Sequence, residues 1–547
     1  MKKILAIPRW LFGSDPGWLP GFLAARWLFL RSLGFIFFSA FYSLLFQIRG
    51  LIGPQGLLPA GDFLQNVHDV LGRYRFWYAP SLYWISSSDR ALMVVCWIGL
   101  VASLLLFFNI WPRASIVVCW VAFLSFVSAA QDFSGYQSDG MLLEASFIAF
   151  FFAPPGVRPG FGEKSPPSRA SWFLLVWLCF RIYFESGIVK ILSHDPAWQN
   201  FTAMDNYYQN GPLPTWIGWY VQHFPHWFHA ASVGLTLAIE LIFVFAMFLP
   251  RRFRIGLFFL ITPWQIGIIL TANYAFLNYL VLFLGFLLLD DRFLRRLLPE
   301  RLRVPREVIA KPAGDTPAGG DSTSESAKPE LPETRSFLEA LRLSFAALFL
   351  TWDFYATSVL LFAMLFQSMP QPLVAPVRAL SPFRIANDFG LFARMTPERY
   401  EIEFQGSRDG RTWIAYPFRY KPQNINEAPR IYAPYQPRFD WNLWFASLGG
   451  WREYPFVINT EERLLTDDPD VLALFAGNPF PGSPPTQIRA VRWQYWFSSR
   501  ATKGSTGQWW WREELGVYAP SLERLPDGRF AVTGWPGMGT DSTDDQP

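Results

Sequence analysis

Several ionisable side chains occur in stretches of this sequence that are otherwise apolar enough to lie in lipid. Asp132, Asp139 and Glu144 lie in one of them, "QDFSGYQSDGMLLEASFIAFFFAP", residues 131–154. They could be solvated loop residues and a helix-end residue, or they could form a polar site at the membrane surface. An ionisable group inside a membrane span costs roughly 2.5–3.5 kcal/mol on insertion scales, so it is a functional hypothesis by default.

A second charged group lies in "CFRIYFESGIVKILSHDPAW", residues 179–198. Arg181 and Glu185 are four residues apart, so they share a helix face and can pair. Lys190 lies nearer the outer end of the same run, where it could join a site or extend its ammonium group to the interface. We predict one membrane polar cluster made of Asp132, Asp139, Glu144, Arg181, Glu185, Lys190 and Asp195.

Other patterns argue against common kinds of site. Glu240 lies midway along a separate apolar run and needs a partner, for which a hydrogen bond to a neighbouring helix suffices. The tract "HFPHWFH", residues 223–229, spreads its three histidines around a helix and contains a proline, so no metal site is predicted. The sequence contains no phosphate-binding loop and no nucleophile elbow, and we predict no cofactor. The net charge of +4 has no dense basic block, so nucleic-acid binding is not expected.

The composition is that of a membrane protein. Of 547 residues, 51% are hydrophobic and only 16% are charged, against about a quarter charged in soluble proteins. Apolar runs of about 17–25 residues can cross a bilayer as helices. We therefore predict a polytopic α-helical bundle of about nine spans, near residues 23–46, 90–110, 114–131, 140–154, 170–192, 228–249, 255–271, 274–289 and 336–367.

The distribution of Lys and Arg orients the predicted bundle. Short cytoplasmic loops collect these residues. Loops 155–169 and 250–254 are basic, whereas loops 132–139 and 193–225 contain no Lys or Arg. The predicted polar cluster and everything after the last span are therefore expected on the outer side.

The remaining sequence changes character twice. A Pro-, Gly- and Ser-rich stretch separates the last predicted span from the others, as in a flexible linker. Further on, "RYEIEFQGSRDGRTWIAYPFRY" alternates apolar and polar residues around a turn signal, as in a β-hairpin. The predicted organisation is a transmembrane bundle (1–298), a cytoplasmic linker (299–335), a final transmembrane helix (336–368), an outer β-rich domain with helical insertions (383–530) and a disordered acidic tail (531–547).

Long motifs resemble the lipase maturation factor family in matching order. In the first half they are "GLLPAGDFL", "QDFSGYQSDGMLLEASFIAFFFAP", "FESGIVKILSHDPAW", "TAMDNYYQNGPLPTWIGWYVQHFPHWFH" and "TANYAFLNYLVLFL". In the second half they are "NDFGLFARMTPERYEIEFQGSRDGRTW", "FRYKP", "YQPRFDWNLWFASLG", "NPFPGSPP" and "WWWREELGVYAP". One departure is Tyr435, where relatives are expected to carry histidine.

The resemblance implies a membrane folding factor that helps secreted lipases reach active form. The expected partners are membrane lipids and exported lipase-like client proteins. Asp440, Trp441 and Trp444, in the aromatic stretch "FDWNLWF", are candidate client contacts. The sequence ends in "DSTDDQP", with no retrieval signal of the KDEL type. The expected location is the bacterial inner membrane or the endoplasmic reticulum membrane, with the C-terminal domain on the periplasmic or lumenal side.

A shorter resemblance supports an alternative function. "RIYFESGIVKILSHDPAW" is similar to the part of vitamin K-dependent carboxylases in which a lysine acts as a base, and Lys190 falls at that position. A lysine can act as a base near neutral pH where burial lowers its pKa. The alternative is thus a membrane enzyme that acts on a lipophilic, quinone-like substrate.

Overall fold

The computed structural model describes residues 10–13, 21–300, 303–304 and 333–537. Most of the predicted linker lies outside the described residues, and so does the predicted tail from residue 538 onward.

An apolar helix lies at each of the nine predicted runs in the described part of the chain. Six of these helices are long and apolar enough to cross a membrane, judged by length and composition. One of the six, His226–Phe248, includes the 3-10 turn that follows its helix. The other three helices are short, at 16, 16 and 8 residues, against about 20 for a full crossing. The structure thus has six candidate spans and does not confirm the prediction of about nine. In chain order the helices are α1 Leu23–Leu45, α2 Asp89–Phe107, α3 Pro112–Val127, α4 Gln137–Phe152, α5 Arg169–Leu192, α6 His226–Leu241, α7 Arg251–Thr271, α8 Leu277–Leu284 and α9 Glu333–Phe366.

Helix α5 lies at the centre of this bundle. It packs against α4, α6, α8 and α9, and the indole of Trp177 donates to the Thr357 hydroxyl of α9 at 3.1 Å. Helices α1 and α2 pack closely at Gly99, where an added Cβ would overlap the ring of Phe41. Shorter helices in the connecting segments are Ile48–Ile52, Ala60–Leu71, Arg75–Tyr78, Pro196–Gln199, Tyr207–Asn210, Trp216–Gln222, Asp291–Leu297, Gln371–Leu380, Pro469–Leu472 and Arg500–Thr506.

The C-terminal part contains one antiparallel sheet. Its strand order is β2-β1-β3-β5-β6, and β4 also pairs with β3. The predicted turn between β1 and β2 is held by Asp409, whose carboxylate accepts hydrogen bonds from the backbone N–H groups of Arg411 and Thr412 at 2.9 and 2.7 Å. These bonds lower the pKa of Asp409. The strands are β1 Arg399–Ser407, β2 Ile414–Ala415, β3 Gln487–Phe497, β4 Trp510–Val517, β5 Ser521–Arg524 and β6 Phe530–Gly534.

Two helices pack on this sheet, α10 Arg438–Leu448 on β1 and α11 Phe456–Leu465 on β3. The predicted start of the disordered tail at residue 531 is wrong, because β6 (Phe530–Gly534) pairs with β5. The turn between β5 and β6 is closed by the backbone N–H of Leu525, which donates to the carbonyl of Arg529 at 2.8 Å. The Asp527-Gly528 dipeptide in that turn is the hairpin signal that the sequence reading missed.

Glu461 on α11 is expected to make the stability of the C-terminal domain depend on pH. Its side chain is fully buried, and neither carboxylate oxygen makes a hydrogen bond of normal geometry in the described part of the chain. Burial raises its pKa well above the usual range, and a backbone interaction with Ala490 opposes this without cancelling it. The folded state thus binds a proton that the unfolded state releases above pH ~4.3, so stability falls as pH rises from there towards the folded pKa.

We expect Glu461→Gln to stabilise the protein at pH 7, because the carboxyl must take up a proton on folding and the amide need not. The gain is about 1.4 kcal/mol for each pH unit above the unfolded pKa over which the folded carboxyl stays protonated. The measurement is thermal unfolding of the full-length protein in detergent at pH 7 and pH 4. The gain should vanish at pH 4, where the native carboxyl is already neutral. The exposed Glu427→Gln is the control and should change neither midpoint. An equal gain at both pH values would contradict the assignment.

Candidate functional site

The predicted membrane charges lie where an irregular segment of the C-terminal part meets the bundle. This docking segment, residues 387–395, contains no helix or strand. Buried backbone N–H and C=O groups need hydrogen-bond partners, and a segment without secondary structure cannot supply them itself. The charged side chains of α4 and α5 supply them instead.

Glu144 of α4 binds the start of the docking segment. Its carboxylate accepts the backbone N–H of Asn387 at 2.8 Å and the side-chain amide at 3.2 Å. The same carboxylate pairs with the guanidinium of Arg181, and both side chains are fully buried. Gly140, one turn earlier, allows the close approach, because a Cβ there would lie 2.8 Å from the Asn387 side chain. Glu144 therefore serves as an acceptor for an incoming backbone.

Arg181 and Glu185 continue the contact along α5. The predicted pair is present, with Nη1 of Arg181 at 3.3 Å from Oε1 of Glu185. Arg181 also donates to the carbonyl oxygen of Asn387 at 2.7 Å, and Glu185 accepts the backbone N–H of Phe389 at 2.7 Å. Each charge thus holds both its ionic partner and one backbone group of the docking segment.

Lys190 is paired with Glu240 of α6. Its Nζ lies 2.9 Å from Oε2 of Glu240, and it donates to the carbonyl oxygens of Leu391 at 3.2 Å and Ser186 at 3.1 Å. Gly187 permits this pairing, because a Cβ there would lie 2.8 Å from Cβ of Glu240. An ammonium group has three donors, and all three are used here. The contacts of Lys190 are thus those of an ion pair buried between the bundle and the docking segment.

Asp195 binds the far end of the docking segment. One oxygen accepts the N–H of Ala197 at 2.9 Å and so caps a short helix. The other accepts the N–H of Met395 at 2.6 Å. Beside it, the indole of Trp198 donates to the carbonyl of Phe392 at 3.0 Å. From Asn387 to Met395, side chains of the bundle thus bind the docking segment through its backbone N–H and C=O groups.

A separate ion pair fastens α10 to the bundle. Arg438 donates to both carboxylate oxygens of Asp139, at 2.8 and 2.9 Å, and to the carbonyl of Phe133 at 2.6 Å. Its own backbone N–H donates to Gln47 of the bundle at 2.7 Å. The Arg438 and Asp139 side chains are buried, and this two-point geometry is the strong form of such a pair.

The structure divides the predicted polar cluster. Glu144, Arg181 and Glu185 form one group, Lys190 pairs with Glu240 instead of Glu144, and Asp139 pairs with Arg438. Asp132 is half-buried and lies apart from these pairs, with one carboxylate oxygen that has no hydrogen-bond partner among the described residues.

The three candidate client-contact residues require a correction. Asp440, Trp441 and Trp444 are buried and cannot form an exposed client surface. Asp440 accepts the backbone N–H groups of Tyr420 and Lys421, and the Trp441 ring lies 6.0 Å from that of Tyr136 in the bundle. Burial raises the pKa of Asp440 to about 6. Trp441 is thus covered by the docking of α10 on the bundle, where its ring also lies 6.2 Å from that of Tyr274.

Sequence reasoning also missed one acidic residue near this interface. Asp353 of α9 is fully buried near Arg181 and Glu144, and neither of its oxygens has a hydrogen-bond partner among the described residues. A single Asp in a predicted span was the available signal. Asn273 accepts the backbone N–H groups of Tyr432 and Ala433 at 2.7 and 3.0 Å, which adds a further attachment.

The two parts joined by these contacts correspond to two family models. Residues 24–296 match the lipase maturation factor transmembrane domain, and residues 385–520 match the lipase maturation factor C-terminal domain. Lipase maturation factor 2 of Homo sapiens is 30% identical, over an alignment that covers 91% of this chain and 82% of that protein. This chain belongs to the lipase maturation factor family.

Other members of the lipase maturation factor family are similarly related to it. Lipase maturation factor 1 of Bos taurus is 29% identical, with 94% of this chain and 92% of that protein covered. Lipase maturation factor 2 of Rattus norvegicus is 31% identical, with 90% and 82% covered. No solved structure is significantly similar to the chain. The family and the six candidate spans identify an integral membrane protein.

Proposed function

We propose that this chain is a membrane-anchored maturation factor that helps exported lipases reach active form. The observation that carries the proposal is the similarity to lipase maturation factors over both domains rather than over the bundle alone. The buried ion pairs of Glu144, Lys190 and Asp139 agree with this function, since they join the bundle to the docking segment or to α10. They support a rigid platform for the outer domain.

We further propose that the outer domain faces the compartment in which lipases fold, the periplasm or the lumen of the endoplasmic reticulum. The ends of α4 and α5 that bear the docking segment lie opposite the loop 155–169 that joins these helices. That loop carries Arg158, Lys164 and Arg169, and basic loops stay in the cytoplasm. The charge pattern thus supports an outward-facing C-terminal domain.

For the client-binding surface we propose exposed side chains of the sheet instead of α10. Trp511 of β4 is 55% exposed, and its ring lies 4.3 Å from that of Trp496 on β3. Val532 and Trp535, on and just after β6, are also exposed. Exposed tryptophans are frequent binding hot spots because they offer a large, rigid apolar face.

Gene deletion in the native host tests the function. Secreted lipase activity and secreted lipase protein are measured together, with and without the wild-type gene on a plasmid. We expect the activity per amount of lipase protein to fall on deletion and to return with the plasmid. A Trp511→Ser variant, present in the membrane at the wild-type level, should restore it only in part. Lipase activity per protein that does not change on deletion would contradict the proposal.

A further inference from the structure

A largely apolar cavity lies within the transmembrane part. Arg438 and Asp139, which form the ion pair described above, do not line it. Its volume is about 350 Å³, within the usual range of small-molecule sites. Helices α5, α6, α7 and α8 form its walls, and Leu391, Phe392 and Met395 of the docking segment close its outer end. With the C-terminal domain on the outer side, as proposed above, the cavity lies at the depth of the lipid chains of the outer leaflet.

The position of its opening indicates where an occupant would enter. Helix α6 packs on α5 and α7 packs on α8, so α6 and α7 separate beyond the turn Phe243–Phe248 that joins them. Helix α7 is the least buried of the six candidate spans, at 22% of its apolar window, and α6 and α9 follow at 33% each. Leu235 of α6 and Gly267 of α7 line the cavity and are exposed on the outside of the bundle. The opening thus faces the bilayer.

The polar groups in the wall are already engaged with one another. The Lys190 ammonium uses all its donors, as described above, and its charge is balanced by Glu240. The Gln265 side chain donates to the Tyr183 hydroxyl at 3.0 Å and accepts from Asn278 at 2.8 Å. A neutral, internally bonded wall offers little attraction to a charged head group, so hydrocarbon contact dominates what the cavity can bind.

We propose that this cavity binds one long acyl chain, which enters from the outer leaflet between α6 and α7. The chain could belong to a phospholipid or to a free fatty acid, because both present the same hydrocarbon. Its atoms would contact the apolar wall of α5 and α7 and the underside of the docking segment. A bound chain would contact Leu391 and Phe392 and would thus stabilise the docking segment, which attaches the C-terminal domain to the bundle.

Photo-crosslinking of the full-length protein in phosphatidylcholine nanodiscs tests this site. One arm uses palmitic acid with a diazirine near the chain end, and the other uses phosphatidylcholine with the same tagged chain. We expect saturable adducts on α5 and α7 around Tyr183 and Trp264, located by peptide mass spectrometry. Competition by unlabelled fatty acid or by unlabelled phospholipid then identifies the source of the chain. Competition by a quinone and by neither acyl lipid would overturn the proposal.

Two glycines of α7 offer a matched pair of variants. An added Cβ meets no atom within 4 Å at Gly267 or at Gly256, so neither substitution should disturb folding. Gly267 lines the cavity and Gly256 does not. Gly267→Phe should reduce the adducts around Tyr183 about tenfold, whereas Gly256→Phe should leave them unchanged.

Leu235→Trp narrows the same opening from α6 and provides a second variant if Gly267→Phe lowers the melting temperature. The proposal is overturned if both cavity variants label like wild type, if Gly256→Phe loses label equally, or if adducts spread evenly over all lipid-facing helices.

Discussion

Replacing Arg438 with methionine should destabilise the full-length protein by about 3–5 kcal/mol, because it leaves the buried carboxylate of Asp139 without its cation. Methionine keeps most of the apolar length of the side chain, so the loss is chiefly that of the charge and its hydrogen bonds. Thermal unfolding in detergent, followed by tryptophan fluorescence, measures the change. The outer domain should also become sensitive to protease, since α10 loses its attachment to the bundle.

Two further variants make the expectation about Arg438 specific. Arg49 also bridges the two parts, to Asp470 at 2.9 Å, but its side chain is 52% exposed. Water screens such a pair, so Arg49→Met should cost less than about 1 kcal/mol. Adding Asp139→Leu to Arg438→Met removes the stranded charge and should recover much of the loss. Equal effects of Arg438→Met and Arg49→Met would contradict the claim that the buried pair attaches the domain.

Arg181→Met should have an effect at least as large. Arg181 is the cation nearest to Glu144 and Glu185, and the Asp353 carboxylate also lies close to it. Removing it leaves three buried carboxylates together and deletes the hydrogen bond to Asn387. We expect a loss of about 3–5 kcal/mol or failure to accumulate in the membrane. Limited proteolysis should cut within the docking segment of any protein that does accumulate.

The control for Arg181→Met is Glu185→Gln in the same protein. A glutamine at 185 removes one of the stranded charges and can still accept the N–H of Phe389. The double variant should therefore be more stable than Arg181→Met alone. If Arg181→Met unfolds at the wild-type temperature and its docking segment resists protease, the charges of α5 do not hold this segment.

Local patterns in the sequence were sufficient to predict the elements and the contacts within one element. The structure has a helix at each of the nine apolar runs, and Arg181 and Glu185 form the ion pair that their spacing predicts. Both features depend on residues that are close in sequence. The number of helices that cross the whole membrane could not be predicted from apolar runs alone. Helices α3, α4 and α8 are short and depend on packing against their neighbours.

Contacts between distant segments could not be predicted from such patterns. Lys190 and Glu240 lie 50 positions apart, and Asp139 and Arg438 lie 299 apart, so no periodicity links them. The same limit explains the error over Trp441 and Trp444. An aromatic face of a helix looks identical in sequence whether it binds a client or the protein's own bundle, and here it is buried.

The role of Lys190 distinguishes the maturation-factor function from the alternative of a membrane enzyme. A single substitution of Lys190 is a poor test of that role. Lys190→Met would leave Glu240 buried without its cation, so a folding defect could be mistaken for lost chemistry. The double variant Lys190→Met with Glu240→Met removes both charges and keeps similar apolar volume. The double variant still lacks the hydrogen bonds from Lys190 to the carbonyl oxygens of Leu391 and Ser186, and each costs about 1 kcal/mol of stability.

The most direct test is therefore complementation of the deletion strain with this double variant, scored as lipase activity per amount of secreted lipase. We expect the double variant to reach the membrane at near the wild-type level and to restore activity, whereas Lys190→Met alone should be scarce. A double variant that is abundant and as stable as wild type, yet fails to restore lipase activity, would contradict a structural role and assign chemistry to Lys190.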